Sequence, residues 1–294
     1  MALSKLSSDE QCIILGQLCN TLEPRLAVYF SSASSELRVL LTSALQQQLS
    51  ADYEVAAALC VKMGMWSCKE LREAKKVRCR DTGLSATDLA TLGKLGSVLP
   101  ALEWLVLIES SDAAGPDGVQ RLAEALTAGA LPRLTLLSLD NMHVGEAGAS
   151  ALAAALDRGA LPRLESLFLN NTGIGDAGLV ALAPALRRRP ALECLYLYGN
   201  PFGDEGLAAL VAPPPPAGAP PLPTEGLKKL RTLYLDYTQV SDAGCAALAT
   251  ALDSGALPPL EHLHIPLDHI PASAAAKQAV HAALARSRAA AFSP

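Results

Sequence analysis

The chain has 294 residues, half of them hydrophobic, 18% charged and 4% aromatic, enough apolar mass for one large core or two smaller ones. A net charge of −5 argues against a broad footprint for nucleic acid, and no uncharged apolar run approaches the roughly 18 residues of a membrane span. Cysteines stand at 12, 19, 60, 68, 79, 194 and 245. That odd, scattered set predicts reduced thiols in the cytoplasm or nucleus, and an opening that turns polar at once (MALSKLSSDEQ) predicts a protein that is not secreted.

Residues 1–73 predict helices. Cys12, Ile13, Leu15, Leu18 and Leu22, then Leu37, Leu40, Leu41 and Leu45, recur at near-helical spacing. Ser8 and Ser67 suit N-caps, the latter with Glu70 completing a capping box, and Pro24 separates two helices. One role for such a region is a cap that shields the apolar edge of whatever follows.

From residue 74 to 294 the chain repeats itself. LTLLSLDNMHVGEAGASALAAAL from Leu134 and LESLFLNNTGIGDAGLVALAPAL from Leu164 share one frame with LECLYLYGNPFGDEGLAAL from Leu192 and LRTLYLDYTQVSDAGCAALATAL from Leu230. The frame is LxxLxLxx, a turn, GDxG and an Ala/Leu helix. Weaker copies surround Val77, Leu102 and Leu260. The fourth places of the seven units, Val77, Leu105, Leu137, Leu167, Leu195, Leu233 and Leu263, step by 28, 32, 30, 28, 38 and 30 residues.

Alternating apolar fourth and sixth places predict a strand with one buried face. Val144, Ile174, Phe202 and Val240, after the turn, should fill the same core. Thr172, Asn200 and Thr238 suit hydrogen bonding to turn backbone, and Asp176, Asp204 and Asp242 fall where a helix N-cap belongs. Pro184 inside a helix pattern predicts a kink or an early end. The insert VAPPPPAGAPPLPTEG, residues 211–226, accounts for the longest step. It predicts a polyproline-like or disordered convex loop, either merely tolerated or a ligand for an SH3-type or WW-type domain. A last helix over 273–290 should close the array.

Gly173-x-Gly175-x-x-Gly178 matches the dinucleotide-binding fingerprint. The equivalents of Gly173 are His143, Pro201 and Gln239, Ile174 is a core place, and Asp176 puts a carboxylate where a pyrophosphate would lie. The glycines therefore belong to a repeat turn, and no cofactor is expected. No catalytic signature is present. His262, His264 and His269 cluster without further specified ligands, so no metal site is expected. Arg187-Arg188-Arg189 suits a solvated helix end, with a phosphate patch as the alternative.

Third, fifth and seventh places should face outward. The fifth-place row is Arg78, Val106, Ser138, Phe168, Tyr196, Tyr234, His264, and the seventh-place row is Arg80, Ile108, Asp140, Asn170, Tyr198, Asp236, Pro266. Trp104 and Tyr237 lie beside them. In a chain with four Phe, two Trp and six Tyr, this gathers rings on one surface, as partner-binding faces do. The candidate contacts are Trp104, Asp140, Phe168, Asn170, Tyr196, Tyr198, Tyr234, Asp236, Tyr237 and His264. The competing explanation is that such rings suit strands and stack between neighbours without a ligand. A face grading from Lys76, Arg78 and Arg80 to rings with Asp140 and Asp236 fits a protein or peptide better than a nucleic acid.

The frame resembles the leucine-rich repeat, in its long, ribonuclease inhibitor-like subtype, over roughly residues 75–290. That resemblance implies an α/β solenoid with a curved parallel sheet on the concave side, helices on the convex side and an all-α N-terminal region. It also implies a non-enzymatic scaffold for a partner protein. Residues 9–41 resemble an F-box, with an apolar helix ending in Leu22-Glu23-Pro24, a short helix with Leu26 and Val28, and then SSASSELRVLL. Leu37 stands where that family has tryptophan, and the family's leading Leu-Pro and its cysteine are absent. The resemblance implies that Ile13, Ile14, Leu18, Leu22, Pro24 and Leu26 hold a Skp-type adaptor while the repeats select a substrate for ubiquitin transfer. Ribonuclease inhibitors and Ran GTPase-activating proteins share the repeat, which implies a third role, regulation of a ribonuclease or a small GTPase. The many cysteines of the former and the acidic tail of the latter are missing.

Overall fold

The computed structural model describes residue 22 and residues 43–109, 112–211, 227–264 and 269–291. Residues 9–41 other than Leu22, most of the proline-rich insert and Pro266 lie outside the described residues. Two helices, α1 (Ser43–Lys62) and α2 (Cys68–Glu73), lead into the repeats. Strands β1 (Lys76–Arg80), β2 (Trp104–Ile108), β3 (Leu136–Ser138), β4 (Ser166–Phe168), β5 (Cys194–Tyr196), β6 (Thr232–Tyr234) and β7 (His262–His264) then alternate with helices. These are α3 (Ala86–Leu95), α4 (Gly118–Ala125), α5 (Gly145–Asp157), α6 (Asp176–Arg187), α7 (Asp204–Val211), α8 (Asp242–Asp253) and α9 (Ala274–Ala291).

All seven strands pair in parallel and in sequence order. The register joins equal places of successive units, Leu105 with Leu137, Leu137 with Leu167, Leu167 with Leu195 and Leu195 with Leu233. Strand burial alternates as one buried face demands, most regularly along β1 and β2. Helices α3 to α9 pack each on the next, so sheet and helices enclose one continuous core running the length of a leucine-rich-repeat solenoid. Phe202 is wholly buried in it, together with Val144, Ile174 and Val240.

The turns close on the buried polar residues. Asn200 Oδ1 accepts from the backbone N–H groups of Thr172 and Ile174, and its Nδ2 donates to the carbonyls of Leu169 and Leu197. One amide thus satisfies two units. The hydroxyls of Thr172 and Thr238 donate to Leu169 and Leu235 carbonyls. In the second unit Glu109, only 2% exposed, does the same work by accepting from Thr82, Gly83 and Leu84. In five units the eighth residue adopts positive φ, at Asp81, Asn141, Asn171, Gly199 and Tyr237; the second unit, with Glu109 at that place, does not. Asn, Asp and Gly reach that conformation at little cost; a tyrosine does not.

The helix termini correct one expectation. Asp176, Asp204 and Asp242 do not cap their own helices; each caps the helix of the unit that follows. Asp176 Oδ1 accepts from Gly203 and Gly206 at the start of α7, and Asp204 Oδ1 accepts from Ser241 and Gly244 at the start of α8. Asp242 Oδ1 accepts from Ser273, immediately before α9. A Cβ on Gly244 would lie 2.4 Å from Asp204 Oδ1, so the glycine of GDxG leaves room for the preceding unit's acid. Burial opposes ionisation of Asp204, but hydrogen bonds from Ser241 and Gly244 outweigh it and hold the carboxyl below its ordinary range.

At the opposite helix ends, arginines reach backward. Arg158 donates to the Ala123 and Leu126 carbonyls at the end of α4, and Arg189 donates to Leu156 of α5. Arg188 grips Asp157 through two short hydrogen bonds. Two members of the arginine triplet, Arg188 and Arg189, are therefore engaged in holding units together. Pro184 does not end its helix early, since α6 continues past it to Arg187. The carbonyl released by its missing N–H belongs to Val180, on the exposed side of the helix where water can satisfy it.

At the N-terminal end, Ala56, Leu59, Cys60, Cys68 and Leu71 of α1 and α2 join the repeat core. Ser67 caps α2 as expected, although Glu70 accepts from Trp66 rather than closing the box on Ser67. Leu22 is 4% exposed and belongs to the same core. That contradicts its expected place on an adaptor-binding surface, because a side chain committed to the interior presents nothing to a partner.

Candidate interaction surface

The fifth-place residues align across the sheet in one row. Arg78 pairs with Val106, Val106 with Ser138, Ser138 with Phe168, Phe168 with Tyr196, Tyr196 with Tyr234 and Tyr234 with His264. Strand spacing of about 4.8 Å brings neighbouring rings into stacking range. Phe168 and Tyr196 lie 4.3 Å apart at 10°, and Tyr196 and Tyr234 lie 4.6 Å apart at 14°. Each ring is half-buried. The row therefore presents ring edges outward and spends ring faces on neighbours, less open aromatic area than free rings would give.

A second ring cluster lies beyond the strand ends. Tyr198 meets Tyr237 edge to face at 5.0 Å, and Tyr237 stacks on His269 at 4.0 Å with its hydroxyl 3.0 Å from His269 Nε2. Tyr237 is 48% exposed and sits at φ +54°, where other units place Asn, Asp or Gly. Strain of this kind costs on the order of 1–3 kcal/mol and is concentrated at sites of function.

The first half of the face is different. Lys76, Arg78 and Arg80 are exposed along β1, with Lys76 Nζ 3.5 Å above the Trp104 ring. Next to them lies a hollow of about 290 Å³ walled by Arg78, Arg80, Val106, Ile108, Asp140 and Phe168. Its acid is held in place, since Asp140 accepts from Asn170 N–H at 2.9 Å and from the Ser138 hydroxyl at 3.0 Å.

The ten expected contacts do not share one status. Trp104, Phe168, Tyr196, Tyr198, Tyr234 and Tyr237 all lie on this face. Asp140 and Asn170 lie on it too, but each also accepts a backbone N–H of the next unit (Asn170 from Tyr198 N), so both are partly structural. Asp236 departs from the expectation of an outward group, being only 5% exposed. His264 occupies the last place of the row in the strand register. Sequence reasoning did not foresee His269 as the partner of Tyr237, the buried Glu109, or Glu146 beside the glycines at the start of α6. The signal for Glu146 was present, because GEAG aligns with GDAG: its Oε1 lies 2.6 Å from where a Gly175 Cβ would be.

Helix starts of the repeats hold carboxylates, Glu146 at α6 among them, so the triple-glycine stretch offers no seat for a pyrophosphate. Burial first, then Cys68, pushes the Cys60 thiol up to about 12, and burial pushes Cys79 to about 11, far from a reactive thiolate. Among the described residues no group of three His, Cys, Asp or Glu could hold a metal ion, and no helix is long and apolar enough to cross a membrane.

A family model described as Leucine Rich repeat matches residues 161–183, 190–211 and 226–249, which are parts of the fourth, fifth and sixth units. The chain thus carries leucine-rich repeats. A comparison with curated proteins finds no match. Among solved structures the chain is similar to an internalin from Listeria monocytogenes, at 12% identity and a TM-score of 0.26, over 78% of this chain and 93% of that one.

Proposed function

We propose that this chain is a non-enzymatic scaffold of the long, ribonuclease inhibitor-like kind that binds a partner protein across its concave face. Repeat arrays of this sort present extended concave surfaces for binding. The observation that carries the reading is Tyr237, an exposed ring kept in a left-handed backbone conformation that an asparagine or glycine would occupy without strain. Contacts with Tyr198 and His269 hold the ring in place, but they are made from the exposed side of a backbone position that Asp, Asn or Gly fills in four other units. Stacking within the fifth-place row accounts for part of its composition, but not for Tyr237 or for the exposed cations of β1, of which Lys76 and Arg78 lie over the Trp104 ring. The burial of α1 and α2 in the repeat core supports a capping role for residues 43–73.

The test compares captured partners. Tagged wild-type chain, a Tyr196→Ala/Tyr234→Ala variant and a Val180→Ser variant on the convex side are used to isolate partners, and the recovered proteins are titrated. A partner whose affinity falls by at least about 2 kcal/mol in the tyrosine variant and is unchanged in the Val180 variant upholds the reading. Equal affinity for all three chains overturns it.

A further inference from the structure

We infer that the first half of the concave face selects an acidic peptide segment carrying one apolar side chain, bound in extended form across the strands. This rests on the proposed scaffold role and specifies its partner.

Charge sets the first element. Lys76, Arg78 and Arg80 project from alternate places of β1 and are exposed. Among the described residues Arg78 and Arg80 have no carboxylate within ion-pair reach, whereas nearby Lys75 pairs with Glu103 and Lys62 with Asp88. In a chain of net charge −5, two guanidiniums left beside each other on the concave face form a local field for carboxylates.

Shape sets the second. The hollow begins at those guanidiniums and has Val106, Ile108 and Phe168 on its walls, so a carboxylate on β1 leaves an adjacent apolar side chain over the hollow. Its volume, about 290 Å³, accommodates a leucine- or phenylalanine-sized group but not a folded domain.

Asp140 sets the direction. It lies on the far wall, fixed by Asn170 and Ser138, and it repels a second carboxylate there. The acidic end of the segment is thus confined to β1. Past Phe168 the stacked edges of Tyr196 and Tyr234 continue the track. Five strand spacings of about 4.8 Å separate β1 from β6, the reach of about seven extended residues.

Displayed short random peptides are selected on the folded chain, on Arg78→Glu/Arg80→Glu and on Tyr196→Ala/Tyr234→Ala, with thermal melting verifying that each variant is folded. Wild type should enrich sequences with Asp or Glu next to a large apolar residue. A synthetic peptide of the enriched sequence should bind the arginine variant at least about tenfold more weakly, and lose affinity for wild type as salt rises. Enrichment without acidic character overturns the inference, as does no enrichment or unchanged binding to the arginine variant. Peptides that depend on Tyr196 and Tyr234 but not on Arg78 and Arg80 uphold the scaffold reading and overturn this one. A fluorescent single-stranded oligonucleotide that outcompetes the peptide assigns the arginines to a polyanion and overturns it too.

Discussion

Along the edge where the helices begin, Asp176, Asp204 and Asp242 perform one task in three successive units, each closing the first turn of the next helix. Across the concave face the fifth-place residues run Arg78, Val106, Ser138, Phe168, Tyr196 and Tyr234, and cations, a hollow and rings follow one another over a few strands. Both rows come from the same units and the same register. Where the repeat keeps its acid, the carboxylate is taken up by the neighbouring unit; where it changes its residue, groups are left facing out. Repetition in this chain marks what stacking needs, and departure from repetition marks what remains available to a partner.

Four substitutions sharpen or break that contrast. Leu195→Ala, on the repetitive interior, should cost about 2–5 kcal/mol in chemical denaturation, since the fully buried side chain leaves a cavity. Asn200→Ala should cost about 2–4 kcal/mol, because the Thr172 and Ile174 N–H groups lose their acceptor in the interior. A cost below about 1 kcal/mol for either would mean the units stack without these places.

Asp204→Asn should cost about 1 kcal/mol at neutral pH. Because the folded carboxyl lies below its ordinary value, its stabilisation is complete above the unfolded pKa of about 3.9 and disappears as pH falls through the folded value. The variant's acid-unfolding profile should be flatter than wild type below about pH 4. Parallel profiles would remove Asp204 from the account. The smallest effect belongs to the variable face. Tyr237→Asn should change stability by less than about 1 kcal/mol, relief of the left-handed strain offsetting the lost contact with His269. A larger loss would make Tyr237 a packing residue and take away the observation on which the proposed function stands.

The strands, their order and their register were legible from LxxLxL, since a two-residue period and a recurring frame leave one pairing that buries every fourth and sixth place. The turn residues Thr172, Asn200 and Thr238 were legible for the same reason. The target of Asp204 was not. Its position beside a helix start is local information, but its choice of Gly244 over its own helix depends on how far apart two units sit. The burial of Asp236 and the Tyr237–His269 stack likewise depend on contacts between units that no single frame contains. The order of Phe168, Tyr196 and Tyr234 in the repeat frame was legible, but their half-burial follows from stacking distances and not from their order in the chain.

Acids that reach forward and arginines that reach back latch many of the seams in this array from both sides. Asp176 closes the start of the helix downstream, while Arg189 closes the end of the helix upstream. A break at such a seam bares a donor cluster on one fragment and an acceptor cluster on the other, so neither fragment is whole. Unravelling from one end is thereby penalised at each step, and the solenoid should melt as larger blocks instead of unzipping unit by unit.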